Sequence, residues 1–289
     1  MKRKGIILAG GKGTRLYPIT KAVPKCLLPI YDKPMIYHSV ATLMLAGIKE
    51  ILVITTPLDK ERVVELLGDG EKWGINLTYK VQVQPRGIAD ALIIAEKFLD
   101  KNPCALMLAD NIFYGPGLQE KLKNACASKK NTIFTFEVPD PERFGICELD
   151  ENSRVISIEE KPLKPKSNLC VTGLYFYNNL APQIASNLSP SQRGELEITD
   201  VNKNYMQEDN LYAEILDQEY TWIDAGTVES FLQASLFVKS IETGRGIKVS
   251  CPEEIAYKNK WIDKVSIESI AKDLSNSSYS DYLLKMIKS

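Results

Sequence analysis

The sequence predicts an α/β protein in which a doubly wound, mostly parallel sheet carries helices on both faces. Three observations support this prediction. Short apolar runs alternate with amphipathic stretches up to about residue 135, which is the pattern of successive βαβ units. A glycine-rich segment follows the first apolar run directly, where an α/β sheet turns from strand to helix. Beyond residue 131 the apolar runs are short and closely spaced, which predicts added antiparallel strands.

The elements of the first part follow one another regularly. The predicted order is strand 4–9, helix 35–46, strand 50–55, helix 58–67, strand 77–82, helix 88–98, strand 104–109 and helix 118–127. The strands are compact apolar runs, and the helices repeat apolar residues three and four positions apart. Because parallel strands need crossover connections, this order predicts a Rossmann-like sheet.

The second part has a different pattern. Its predicted strands are residues 131–139, 145–149, 155–159 and 171–177, with a proline-punctuated loop at 161–167. The predicted helices are residues 228–243, ended by Gly244, and 279–287. We therefore expect a C-terminal helical segment after the added strands.

Charge and hydropathy argue against several classes of function. The 289 residues carry a formal net charge of −1, so no basic excess points to a nucleic acid partner. The apolar run after the basic start is only about five residues long, too short for a signal peptide or a membrane span. We therefore expect a cytoplasmic protein that binds neither membrane nor nucleic acid.

The cysteines and the histidine offer little chemistry. The six cysteines are scattered singly, without a C-x-x-C pair, which argues against zinc and iron–sulfur sites and predicts reduced thiols. The one histidine, His38, begins an apolar helical stretch. Packing is the favoured role for it, rather than catalysis as a base.

The segment LAGGKGTRL, residues 8–16, is the strongest candidate for chemistry. Its glycines let backbone N–H groups approach a phosphate closely, and the Arg15 guanidinium can contact two phosphate oxygens at once. The spacing is not that of a P-loop, and Leu16 stands where a dinucleotide fingerprint has its third glycine. Another kind of phosphate chemistry is indicated, with a simple turn as the alternative.

A lysine follows this loop in a restrained setting. Lys25 lies between Pro24 and Pro29 in an otherwise apolar stretch. It is either a fixed positive charge beside the loop or a solvated turn residue. Together, the loop and the lysine favour a functional site.

Residues 8–16, followed by PKCLLP at 24–29, resemble the signature of the sugar nucleotidylyltransferases. These enzymes join a sugar 1-phosphate to a nucleoside triphosphate. Further matching motifs extend over nearly the whole chain and narrow the resemblance to the thymidylyltransferases that act on glucose 1-phosphate. They are YDKPMIY (31–37), LMLAG (43–47), DNIFYG (110–115), DPERFG (140–145), EEKP (159–162), VTGLYFY (171–177), RGELEITD (193–200) and VSCPEEI (249–255).

The resemblance implies a reaction and an organisation. It implies transfer of a thymidylyl group from dTTP to glucose 1-phosphate with Mg²⁺, giving dTDP-glucose for dTDP-rhamnose-type biosynthesis. It also implies a homotetramer inhibited by a dTDP-sugar product. The expected domains are a catalytic core at 1–227, divided near residue 135 into nucleotide-binding and sugar-binding parts, and an oligomerisation and regulatory segment at 228–289.

The resemblance also implies the residues of each subsite. The catalytic residues are Arg15 and Lys25. The nucleotide-binding residues are Leu8, Ala9, Gly10, Gly11, Gly13, Thr14, Arg15, Lys25, Gln82, Pro85, Gly87 and Asp110. The sugar-phosphate-binding residues are Asn111, Gly145, Glu160, Lys161, Val171 and Tyr175. Without the resemblance, Glu160 and Lys161 would be taken for a surface ion pair.

Two aspartates are candidates for a metal site. Asp110 directly follows the apolar run 105–109, and Asp224 follows the short run at 220–223. An aspartate at a strand end often caps the next helix. Magnesium, however, is usually held by one or two carboxylates together with substrate phosphates and waters, and the resemblance assigns both aspartates to Mg²⁺.

The chain departs from the family pattern beside the base pocket. QPRGIAD, residues 84–90, stands where Pro-Asp-Gly-Leu-Ala-Gln is common, so that Arg86 and Asp90 are substitutions. An apolar pocket discriminates one methyl group by only ~1–3 kcal/mol. We therefore expect dTTP to be preferred and UTP to be tolerated.

Other functions remain open on the sequence alone. They are a uridylyltransferase or cytidylyltransferase acting on another sugar 1-phosphate, and a regulatory protein that binds sugar nucleotides without turnover. The second should have lost Arg15, Lys25 or one aspartate, and the chain keeps all four. A dehydrogenase is disfavoured by the missing third glycine.

The C-terminal part carries surplus apolar residues. The helix predicted after residue 227 has a broad apolar face formed by Phe231, Leu232, Leu236, Phe237 and Ile241. These side chains either cover the sheet or form a subunit contact. VSCPEEI at 249–255, with Ser250 and Glu254, resembles part of the family's regulatory site.

Overall fold

The computed structural model describes residues 2–288. The strands are β1 (Lys4–Ala9), β2 (Pro29–Ile30), β3 (Lys33–Pro34), β4 (Glu50–Thr55), β5 (Asn76–Val81), β6 (Cys104–Leu108), β7 (Asn111–Tyr114), β8 (Asn131–Glu137), β9 (Gly145–Leu149), β10 (Val155–Glu160), β11 (Leu169–Tyr177), β12 (Leu211–Leu216) and β13 (Thr221–Asp224). The α-helices are α1 (Ile36–Leu45), α2 (Lys60–Leu67), α3 (Asp90–Leu99), α4 (Leu118–Ala127), α5 (Ala181–Ser186), α6 (Ile198–Gln207), α7 (Val228–Arg245), α8 (Pro252–Lys258), α9 (Lys264–Asp273) and α10 (Ser278–Met286).

Within residues 2–288, nine strands form the main sheet. Its parallel group has the order β6-β1-β4-β5. The long strand β11 runs antiparallel to β6 and connects this group to β9 with β10 and to β8 with β12. A register shift between Val171 and Tyr175 accompanies the double role of β11. The prediction of a mostly parallel sheet with added antiparallel strands is confirmed.

The sheet separates two apolar cores. In β1, Ile7 contributes to one core and Ile6 to the other, because successive side chains of a strand point to opposite faces. Helices α1, α2, α4 and α8 pack on the first face, and α3, α5 and α6 pack on the second. The sheet therefore has helices on both faces, as the sequence predicts.

Several elements carry no clear sequence signal. The patterns did not predict the two-residue strands β2 and β3, the strands β7 and β12, or the helices α5, α6, α8 and α9. α5 and α8 have only six and seven residues, too few for a helical apolar period to be recognised. Packing against the larger elements stabilises them instead.

The C-terminal segment begins on the sheet domain. Helix α7 starts with a capping box between Thr227 and Ser230, and its buried Ala234 and Val238 share a core with β2 and β13. The predicted end at Gly244 was wrong. The helix continues to Arg245, and Gly246 ends it with a left-handed φ of 65°, which a glycine adopts without strain.

The outer face of α7 stays partly uncovered. Leu232 and Leu236 are 57% and 56% exposed, and Val228 is 44% exposed. These three residues are spaced four apart and so lie on one side of the helix. Phe231, Phe237 and Ile241, by contrast, pack on the core beneath.

The cysteines and the hydropathy of the helices can be compared with the sequence. All six cysteines are free thiols, and all but Cys126 are buried, as the scattered spacing predicts. No helix within residues 2–288 is long and apolar enough to cross a membrane.

Candidate active site

A cavity of about 420 Å³ opens at the carboxyl ends of β1 and β6, where ligands bind in α/β sheets. It contains every site residue predicted from the sequence except Gly13 and Thr14, which lie in the loop but do not line the cavity. The assignment of these residues to particular substrates stays a prediction.

The glycine loop presents free backbone donors. Within the described chain, no backbone N–H from Gly10 to Arg15 donates a hydrogen bond. Gly11 and Gly13 have φ values of 97° and 59°, which favour glycine. The Thr20 hydroxyl donates to the Gly13 carbonyl at 2.7 Å and holds the loop in place. Such a run of unpaired amides favours binding of an anion.

Two cations lie beside this loop. Among residues 2–288, the Arg15 guanidinium forms neither a hydrogen bond nor an ion pair, and it lies against Gly226, where a Cβ would come within 2.8 Å of Arg15 Nη2. Lys25 begins a 3-10 turn, and its Nζ forms an ion pair with the Asp110 carboxylate. One cation is thus unpaired and the other is anchored.

Strand pairing brings the two aspartates together. In the ribbon of β7 and β13, Asp224 lies opposite Asn111, the neighbour of Asp110. The Asn111 amide donates to Asp110 Oδ1 at 2.9 Å. Although burial raises the pKa of Asp110, the Lys25 ammonium and hydrogen bonds from Lys25 and Asn111 lower it overall.

Asp224 has the opposite electrostatic setting. Burial and the nearby Asp110 charge raise the pKa of Asp224 to about 6. In the described part of the chain, its carboxylate receives no hydrogen bond and no ion pair. No cluster of three or more His, Cys, Asp or Glu side chains within residues 2–288 could hold a metal alone. Asp110 and Asp224 therefore fit a magnesium ion that is shared with a phosphate, rather than an all-protein cage.

The Asn111 side chain makes three hydrogen bonds within the protein. Its Oδ1 accepts from the Gly173 N–H at 2.9 Å and from the Trp222 ring nitrogen at 2.6 Å. With its nitrogen donating to Asp110, Asn111 links β7, β11 and β13. This arrangement positions Asp110.

One end of the cavity contains Gln82, Pro85 and Gly87. Gly87 has a φ of 101°, and a Cβ there would collide with the Leu196 backbone, so the close approach requires glycine. The Gln82 amide nitrogen donates to Gly87 and to Asp90.

The other end is lined by Gly145, Glu160, Lys161, Val171 and Tyr175. Glu160 Oε2 accepts from the Thr199 hydroxyl at 2.6 Å. The second oxygen, Oε1, lies 3.4 Å from Arg193 Nη2, so Glu160 keeps acceptor capacity toward the cavity. This end is suited to a ligand that carries hydroxyl groups.

Sequence reasoning missed several residues that line the cavity. They are Cys26, Met35, Asp59, Ile88, Leu108, Ala109, Arg143, Phe144, Thr172, Gly173, Arg193, Glu195, Glu197, Ile198, Thr199, Asn202 and Trp222. A signal existed for the two arginines, because DPERFG and RGELEITD were recognised as motifs without roles being given to Arg143 and Arg193. Burial raises the pKa of the Cys26 thiol to about 12, which makes it a poor nucleophile.

His38 takes no part in this cavity. It is fully buried in α1, and neither ring nitrogen has a hydrogen-bond partner in the described structure. Burial lowers its pKa to about 3. The packing role favoured by the sequence agrees with this position.

The free amides and cations at the glycine loop can hold a polyphosphate, and the Glu160 end can hold a polyhydroxylated group in the same cavity. An α/β sheet with such a double site has what an enzyme that transfers a nucleotidyl group to a sugar phosphate requires. A family model described as nucleotidyl transferase matches residues 4–241.

Relatives match over the full length. A glucose-1-phosphate thymidylyltransferase of Neisseria meningitidis is 49% identical over 286 residues, covering 99% of both chains. One of Mycobacterium tuberculosis is 47% identical, with the same coverage. The chain belongs to the nucleotidyl transferase family, and within it to the glucose-1-phosphate thymidylyltransferases.

Solved structures agree with this assignment. A Bacillus anthracis structure designated a glucose-1-phosphate thymidylyltransferase, in complex with sucrose, superposes with a TM-score of 0.77 at 38% identity, covering 87% of this chain and 99% of that one. A UDP-glucose pyrophosphorylase complexed with UDP-glucose gives a TM-score of 0.74 at 25% identity, covering 85% of this chain and all of that one.

Proposed function

We propose that this protein transfers the thymidylyl group of dTTP to glucose 1-phosphate, forming dTDP-glucose and pyrophosphate. The observation that carries the proposal is one cavity that holds free amides and cations at the glycine loop and the Glu160 carboxylate at its other end. The names of the full-length relatives support the choice of substrates.

The reaction needs no general base. A phosphate oxygen of glucose 1-phosphate is already an anionic nucleophile, and it attacks the α-phosphorus of the triphosphate in line while pyrophosphate leaves. The rate is limited by repulsion between two polyanions and by charge at the transition state. Positioning and positive charge therefore carry the catalysis.

We assign this charge to Arg15 and Lys25. Arg15 is free to form two hydrogen bonds with the departing phosphates, and the amides of the glycine loop hold the same group. Lys25, anchored by Asp110, stabilises the charge that develops near the α-phosphate. Lys161 meets the phosphate of the sugar, and Glu160 accepts from its hydroxyls.

We assign the metal to Asp110 and Asp224. A bound Mg²⁺ would neutralise phosphate charge and act as a Lewis acid at the α-phosphate. In this assignment, Asn111 holds the Asp110 carboxylate in its orientation, and the register of β7 and β13 keeps Asp224 beside it.

We assign assembly and regulation to the segment after residue 227. The exposed stripe of Val228, Leu232 and Leu236 supports a homotetramer formed through α7. The segment 249–255 is assigned to feedback inhibition by a dTDP-sugar such as dTDP-rhamnose. The catalytic part is then 1–227, with its nucleotide-binding and sugar-binding portions meeting near residue 135. We place the protein in the cytoplasm.

A nucleotide panel tests the proposal. Purified protein is incubated with glucose 1-phosphate, Mg²⁺ and dTTP, UTP, CTP or GTP, and pyrophosphate release is measured. The expected order is dTTP first, UTP second, and little or no turnover with CTP and GTP. A clear preference for UTP would favour the uridylyltransferase alternative, and no turnover with any nucleotide would favour a non-catalytic regulator.

A further inference from the structure

The side chain of Gln82 has its nitrogen fixed by two acceptors. Gln82 directly follows β5 and is 7% exposed at the wall of the cavity. Its Nε2 donates to Asp90 Oδ2 at 2.9 Å and to the Gly87 carbonyl at 3.2 Å. A carboxylate and a carbonyl can only accept, so only the NH₂ end of the amide can face them. Chemistry therefore sets the orientation of this amide.

The oxygen of Gln82 consequently faces the glycine loop. A Cβ placed on Gly10 would lie 3.1 Å from Gln82 Oε1. Among the described residues, no group donates a hydrogen bond to this oxygen, and it is not enclosed by protein. Both N–H groups of the amide are already used. Gln82 thus offers the cavity a lone acceptor, not the donor and acceptor pair of a free amide.

The surroundings of Asp90 favour a carboxylate that accepts from Gln82. It is the first residue of α3 and is 5% exposed, at a helix N-terminus where the helix dipole favours negative charge. Arg86 Nη1 lies 3.8 Å from Asp90 Oδ1. A glutamine at position 90 could donate as well as accept, and would fix the orientation of Gln82 less strictly than a carboxylate does.

We infer that Asp90 is a positioning residue that sets pyrimidine specificity through Gln82. Thymine and uracil carry an N–H at ring position 3, which can donate to the fixed Oε1. Cytosine has an unprotonated acceptor there, so its N3 would face Oε1 without a proton between them. The pocket therefore selects the imide pyrimidines and rejects cytosine, because unpaired buried polar groups are costly. This inference rests on the proposed thymidylyltransfer.

The test compares dTTP with 5-methyl-dCTP, which keeps the methyl group and differs only at the edge that Gln82 reads. For wild type, the kcat/KM with dTTP is expected to be at least ~100-fold higher than the kcat/KM with 5-methyl-dCTP. In Asp90→Asn, the new amide can donate to Gln82 Oε1. Only the Gly87 carbonyl then favours the original orientation, so the reversed orientation becomes populated. The ratio of the two kcat/KM values should then fall at least ~10-fold, through faster reaction of 5-methyl-dCTP and a raised KM for dTTP.

Asp100→Asn is the matched control. Asp100 is exposed at the other end of α3 and has a φ of 48°, which asparagine tolerates. This variant should keep the wild-type ratio. If Asp90→Asn also keeps it, the inference fails while thymidylyltransfer by the wild type stands. If wild type turns over no nucleotide, the proposed function itself fails.

A measurement on the unmodified protein covers the case in which Asp90→Asn does not fold. The side-chain NH₂ resonances of Gln82 are followed by ¹⁵N NMR as dTMP is added. They should move little, since the NH₂ group faces Asp90 and Gly87. A large downfield shift would mean that the NH₂ group donates to the base, which overturns the inference.

Discussion

Replacing Lys25 with methionine should remove most of the catalytic activity. Methionine keeps the apolar stem and deletes the ammonium group. The Lys25 side chain is 16% exposed and its Nζ is anchored on Asp110, so it is a fixed charge at the end of the cavity that contains the two aspartates. Lys25→Met removes this charge without opening a large void.

The expected decrease in kcat follows from the negative charge that the Lys25 ammonium neutralises. Removing one preorganised group that stabilises transition-state charge typically costs ~100- to 1,000-fold in kcat, or about 2.7–4 kcal/mol. Loss of Lys25 also leaves the charges of Asp110 and Asp224 less balanced beside an incoming polyanion. We therefore expect turnover to fall at least ~100-fold, with a smaller change in the KM for glucose 1-phosphate.

The assay is pyrophosphate release under saturating dTTP and Mg²⁺, with thermal unfolding measured in parallel. Lys21→Met serves as the control, because Lys21 carries the same charge nearby, is exposed and does not line the cavity. It should stay within ~3-fold of wild type. Folded Lys25→Met with near-normal turnover would remove this lysine from the mechanism.

Three further outcomes are expected. Excess EDTA should abolish turnover and Mg²⁺ should restore it, and Asp224→Asn should need at least ~10-fold more Mg²⁺; full activity in EDTA would contradict the two-aspartate site. The His38 pKa is lowered by burial from 6.5 to about 3, so protons bind the unfolded chain first and stability falls as pH drops below 6.5, by about 1.4 kcal/mol per unit. Between pH 7 and pH 5, the free energy of unfolding measured in urea should therefore decrease by about 2 kcal/mol less for His38→Leu than for wild type. Equal decreases would refute this. Replacing Leu232 and Leu236 together with aspartate should dissociate the proposed tetramer, and an unchanged mass in light scattering would exclude α7 as the contact.

The sequence determined the parts of this protein that depend on local pattern. β1, β4 and α4 have the predicted bounds, because apolar period and flanking turn residues specify a strand or helix within its own segment. The sequence also singled out the glycine loop, Arg15 and Lys25, which the fold brings to one cavity, since residue type and short spacing signal amides and cations near a strand end.

Tertiary structure decided what depends on distant segments. Asp110 and Asp224 are 114 positions apart in number, and only the pairing of β7 with β13 places them side by side. The Asn111 side chain, expected to contact sugar, also holds Asp110, Gly173 and Trp222 together, and one of its N–H groups bonds to no described residue and stays free for a ligand. The resemblance marked Asp90 as a departure from the family pattern. Only the fold places its carboxylate where it accepts a hydrogen bond from Gln82. Side-chain orientation depends on partners that other strands and helices supply, and a local pattern contains no record of them.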